Sequence, residues 1–132
     1  MKFAIALFSP PHSPSSRRAL RFSEALLSGG HDIIRIFFYQ DGVYNASANI
    51  VMSQDECDLT NEWREFIKQH RLDGVVCIAA ALRRGILDEQ EVQRHNRPTS
   101  TPNLSEGWSL SGLGQFHEAA QQADRLICFG GH

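Results

Sequence analysis

One stretch of this 132-residue chain combines residue types at a spacing that suits covalent chemistry. Residues 74–85 read GVVCIAAALRRG. Cys77 ends a short apolar run, small residues follow it, and Arg83 and Arg84 come next. A thiol is a good nucleophile only as the thiolate. Nearby positive charge and the free N–H groups of a helix start both favour that form. The sequence after Cys77 can provide both. The competing reading is that cysteine is a small hydrophobe, often buried in strands. For Arg83 and Arg84, support of a reactive anion competes with salt bridges to Asp88, Glu89 or another subunit.

The remaining candidates are weaker. Cys57 lies in a polar run before a predicted helix and reads as a boundary residue. Cys128, inside RLICF, alternates within a predicted buried strand and reads as core. Tyr39, Asp41, Tyr44 and Asn45 follow an apolar run. They could line a cleft, or mark a tight Asp-Gly turn with aromatic residues packed beside it. Ser13, Ser15 and Ser16 suit helix capping better than anion binding. His12, His31, His70, His95, His117 and His132 show no metal-ligand spacing. Nucleotide-binding glycine loops and a G-x-S-x-G nucleophile elbow are both missing from the sequence.

A thiol at position 77 needs elements to hold it. Residues 2–8 are an apolar run and read as a buried strand. Residues 16–31 carry apolar residues at helical spacing, with Gly29 and Gly30 as the stop. Residues 32–39, DIIRIFFY, are β-branched and aromatic, hence a strand. Residues 40–58 form a long connection of the kind that is often functional. LTNEWREFIKQH places Leu59, Trp63, Phe66 and Ile67 on one helical face. LDGVVCIAA is the next strand, and ILDEQEVQRHN a short acidic helix. A loop follows over residues 97–108. SGLGQFHEAAQQAD then reads as a helix with Leu113, Phe116, Ala119 and Ala120 inward, and RLICF as the last strand. Strands alternating with helices predict one α/β domain spanning residues 1–132, with three α/β/α layers and a mostly parallel sheet. In such sheets reactive groups gather at the carboxyl ends of the strands.

Composition narrows the function. The formal charge is -2 with no long run of one sign, which disfavours a protein that grips nucleic acid through its phosphates. The apolar run at residues 3–8 is too short for a secretory signal. No stretch reaches the roughly 18 to 20 apolar residues of a membrane span. Three irregularly spaced cysteines suit a reducing compartment and no disulfide framework, so a cytoplasmic location is expected.

FFYQDGVYNA, CIAAALRRGILDE and SLSGLGQFHEAAQQADRLICFG, in that order and spacing, make the chain resemble the DsrE/TusD family of sulfur-relay proteins from MKFAIAL to CFG. The resemblance implies the three-layer fold and places the family's active cysteine on Cys77, carrying sulfur as a persulfide. Such a relay needs no metal or organic cofactor. The resemblance also implies assembly with TusB-like and TusC-like subunits as a dimer of heterotrimers. Sulfur would arrive from a TusA-like donor and leave to a TusE-like acceptor. Its final destination would be 2-thiouridine at the tRNA wobble position, with no direct tRNA binding by this chain. Two alternatives remain open: a DsrE-type carrier in dissimilatory sulfur oxidation, and a structural subunit whose cysteine is unused. Tyr44, Ile50, Val51 and Trp108, on the two long connections, are the residues expected to anchor a partner.

Overall fold

The computed structural model describes residues 1–131, so His132 lies outside the described residues. Five strands form one sheet: β1 (Lys2–Leu7), β2 (Asp32–Phe38), β3 (Gly74–Cys77), β4 (Trp108–Ser111) and β5 (Arg125–Phe129). Their order is β4-β3-β2-β1-β5, and every pairing is parallel. The helices are α1 (Pro14–Ser28), α2 (Leu59–His70), α3 (Ile78–Arg83), α4 (Glu89–His95) and α5 (Leu113–Gln122). A 3₁₀ helix, Gln40–Ala46, leaves the end of β2.

Side-chain alternation assigns the two faces. Phe3 meets Phe22 of α1 edge-on, and Phe38 meets Trp63 of α2 edge-on. The odd-numbered side of β1, with Ile36 and Phe38 of β2, therefore packs against α1 and α2. Phe37 points the other way and packs on Phe116 of α5, with ring centroids 5.1 Å apart. Helices thus cover both faces, as the expected three layers require.

Local chemistry explains the element ends. Ser13 caps α1 by accepting a hydrogen bond from the Ser15 N–H, and Pro14 sits at the first helical position. Asp58 caps α2 by accepting from the Asn61 N–H. Glu62 in the first turn of α2 and Lys68 and His70 in its last suit the helix dipole.

Five expectations change. The strand through residue 77 ends at Cys77 itself, and Ile78 already starts α3. WSLS, expected as loop and helix start, is β4, paired with β3 from Gly74↔Trp108 to Cys77↔Ser111. Trp108 is therefore core and not a partner anchor: it is 6% exposed and stacks on Phe38 at 4.0 Å. Leu113, expected inward, is exposed because it opens α5 beyond the sheet, while Ala119 is buried. Cys128 is also exposed. β5 is an edge strand with a neighbour on one side only, and α5 packs chiefly over β1 and β2.

Candidate functional site

The carboxyl ends of β1, β2, β3 and β5 meet at one end of the sheet, where Cys77 lies. Cys77 is both the last residue of β3 and the N-cap of α3, with extended backbone angles of φ -60° and ψ 118°. It is 3% exposed and belongs to the main hydrophobic cluster. Its side chain makes no capping hydrogen bond. The thiol is thus sealed, and its sulfur is not held by the amides of the helix start.

The residues after Cys77 explain how α3 fits there. Ala80 and Ala81 are buried, and their small side chains let α3 lie against the 3₁₀ helix and β4. Gly85, at φ 76°, takes the left-handed conformation that closes the helix, and the Ile86 N–H returns to the Ala81 carbonyl.

The two arginines are not equivalent. Arg84 is largely buried, and its Nε donates to Asp41 Oδ1 at 2.8 Å. Its Nη1 donates to the Ala80 carbonyl oxygen at 3.0 Å. It bridges neither Asp88 nor Glu89. Arg83 is exposed, and its side chain has no hydrogen bond or ion pair among the described residues. Both stand at the far end of α3 from Cys77. Seven residues of helical rise put that end about 10 Å away, close to one Debye length at moderate salt.

A cleft of about 450 Å³ opens beside α3. Phe8, Tyr39, Asp41, Ala80, Arg83 and Arg84 are among its lining residues; Cys77 is not. Of the four residues expected after β2, Tyr39 and Asp41 line the cleft, and Tyr44 does not. The Asp-Gly pair lies inside the 3₁₀ helix rather than in a tight turn. Gly42 is needed there because a Cβ would fall 2.1 Å from the Leu7 carbonyl oxygen.

Asn45 is fully buried and does not line the cleft, but it bonds to segments that do. Its amide donates to the Ser9 and Gly42 carbonyls, each at 2.9 Å. Its Oδ1 accepts from the Ser16 hydroxyl at 2.6 Å, and Ser16 Oγ accepts from the Trp63 indole N–H at 3.2 Å. The network joins the β1 exit, α1, the 3₁₀ helix and α2. Ser16 is therefore a buried network member and not a cap. No local sequence signal could reveal this, because the partners lie 29 and 47 residues apart.

The other cysteines sit apart. Cys57 is exposed just before the α2 cap. Partial burial pushes the Cys128 thiol above its ordinary pKa. Among the described residues, no group of three or more His, Cys, Asp or Glu side chains could hold a metal ion. None of the described helices is long and apolar enough to cross a membrane.

Comparison with known proteins adds kinship to this geometry. Residues 1–129 match the model of the DsrE/DsrF-like family. The sulfurtransferase TusD homolog of Pseudomonas aeruginosa is 67% identical over 131 residues, covering 99% of this chain and 98% of that one. The putative sulfurtransferase DsrE of Allochromatium vinosum is 45% identical, covering 98% of this chain and 99% of that one. Sulfurtransferase TusD of Salmonella arizonae is 42% identical, covering 98% of this chain and all of that one. The crystal structure of the ychN protein from E. coli shares the fold at a TM-score of 0.73 and 20% identity, with 97% of each chain covered.

Proposed function

The chain belongs to the DsrE/DsrF-like family, and on that footing we propose that it is a sulfurtransferase subunit that carries sulfur as a persulfide on Cys77. The observation that carries this reading is the position of Cys77. It is the one cysteine at the carboxyl end of an internal strand, at the turn into a helix, in a chain whose relatives are named sulfurtransferases. Cys57 and Cys128 occupy a loop and a sheet edge.

The chemistry needs only thiols. The Cys77 thiolate attacks the outer sulfur of a donor persulfide. A new S–S bond forms, the donor's S–S bond breaks, and the donor departs as its thiolate. Cys77 then holds the extra sulfur. An acceptor thiolate repeats the attack on that outer sulfur and restores the Cys77 thiolate. The two steps together need no oxidant or reductant, and their rates follow thiolate fraction and leaving-group pKa as in thiol–disulfide exchange. Burial of Cys77 protects a persulfide from stray thiols and oxidants. The same burial requires local opening of the α3 turn when a partner arrives. Arg83, exposed on the cleft wall, is suited to meet an incoming anionic persulfide. Arg84 holds the wall itself.

The relay we propose ends in 2-thiouridine at the tRNA wobble position and runs in the cytoplasm. A TusA-like protein delivers sulfur, a TusE-like protein removes it, and TusB-like and TusC-like chains complete a dimer of heterotrimers. The tRNA need not touch this chain, whose net charge is -2. Tyr44, Ile50 and Val51 remain available to such partners, and Val51 is 90% exposed. A second reading, a DsrE-type carrier in sulfur oxidation, is favoured by the 45% identity to the Allochromatium protein. Transfer of labelled sulfur from a loaded TusA-like donor through this chain to a TusE-like acceptor tests the first reading. Transfer lost in Cys77→Ser supports it, and full transfer in Cys77→Ser overturns it. Genes for sulfur oxidation beside this one would favour the second.

A further inference from the structure

A carboxylate from the segment after β2 reaches α3, the helix that Cys77 caps. Asp41 lies in the first turn of the 3₁₀ helix, where the residues on both sides of it are fixed. Gln40 before it has a φ of 52°, the left-handed region that a residue with a Cβ rarely adopts. Gly42 after it leaves no room for a side chain against the Leu7 carbonyl, and Asn45 ties the Gly42 carbonyl from below. Strained backbone persists where the surroundings over-determine it, and such sites tend to be functional.

Among the described residues, the carboxylate placed this way has one partner, Arg84, at 2.8 Å. Arg84 in turn donates to the carbonyl of Ala80, three residues beyond Cys77. α3 has only six residues, too few to be stable by itself, so its last turn depends on such contacts. Its first residue follows Cys77 directly, and Cys77 itself is 3% exposed.

We propose that Asp41 is a positioning residue for Cys77. Through Arg84 it fixes the last turn of α3, and with it the strand-to-helix turn that carries the thiol. The use of that thiol in sulfur transfer rests on the relay reading above; the positioning role does not.

The test is alkylation of Cys77 by iodoacetamide in protein carrying Cys57→Ser and Cys128→Ser, without denaturant, from neutral to mildly alkaline pH. Asp41→Asn, an isosteric change, and Asp41→Ala are each expected to speed Cys77 alkylation by about threefold or more at every pH, the change an ion pair of this exposure can set. Asp41→Glu should restore the wild-type rate. Arg21→Ala, which removes the exposed pairs with Glu24 and Glu62, should leave the rate unchanged. Wild-type alkylation in both Asp41→Asn and Asp41→Ala would overturn the proposal. So would an equal rise in Arg21→Ala, which would reveal general loosening. The expected alkylation pattern together with no sulfur transfer would uphold the positioning role and overturn the relay reading.

Discussion

Replacing Asn45 with alanine removes the centre of the buried hydrogen-bond network, and its consequence can be worked from the contacts. Three hydrogen bonds are lost: two from the amide to the Ser9 and Gly42 carbonyls, and one from the Ser16 hydroxyl to Oδ1. At about 1 kcal/mol net for each, the loss is about 3 kcal/mol. Groups left buried and unpaired raise this, while water entering the vacated polar space lowers it. We therefore expect a destabilisation of about 3 kcal/mol, a large share of the roughly 5–15 kcal/mol typical of a domain. For a chain of this size that corresponds to a fall of about 10 °C in melting temperature. Urea unfolding followed by tryptophan fluorescence is a direct assay, because the Trp63 indole donates into the same network. The 3₁₀ helix carrying Asp41 rests on Asn45, so Cys77 alkylation should also accelerate. A loss below about 1 kcal/mol with an unchanged m-value would show that these bonds contribute no more than bonds to solvent do.

Further outcomes follow from the same geometry. Cys57→Ser and Cys128→Ser should both retain sulfur transfer. Because Cys128 is exposed, Cys128→Ser should change stability by no more than about 0.5 kcal/mol in urea titrations. Its raised pKa means a smaller thiolate fraction at a given pH, so mass-mapped alkylation of Cys128 should need more alkaline conditions than a free cysteine peptide. Gly74→Ala would place a Cβ 2.7 Å from the Trp108 ring, forcing β3 and β4 apart at a cost of about 1–3 kcal/mol, readable by thermal melting. Arg83→Ala removes one exposed charge at the far end of α3 from Cys77 and should slow transfer by about two- to fivefold at low salt, with the difference shrinking as salt rises.

The main layers were legible because strong local patterns produce them. The long apolar face of α1, the β-branched run of β2 and the GVVC run of β3 each signal their own structure. β4 was hidden because four residues, WSLS, carry too short an alternation to separate from the surrounding loop, and Trp108 then reads as an exposed anchor. Cys128 reads as core for a different reason. Alternation locates a strand but not its rank in the sheet, and edge position decides exposure. At the site, the sequence pointed to Cys77 and the arginines but not to their division of labour. The Asp41–Arg84 bond spans 43 residues, and the Asn45 network is set only by packing.

The central claim is that Cys77 carries the sulfur. Intact-mass spectrometry of the reduced protein after incubation with a persulfide donor measures it directly. The expected result is a gain of one sulfur atom in the wild type, retained in the Cys57→Ser, Cys128→Ser double variant and absent from Cys77→Ser. An undiminished gain in Cys77→Ser, or its loss only when Cys57 or Cys128 is replaced, would place the chemistry on another thiol and contradict the account.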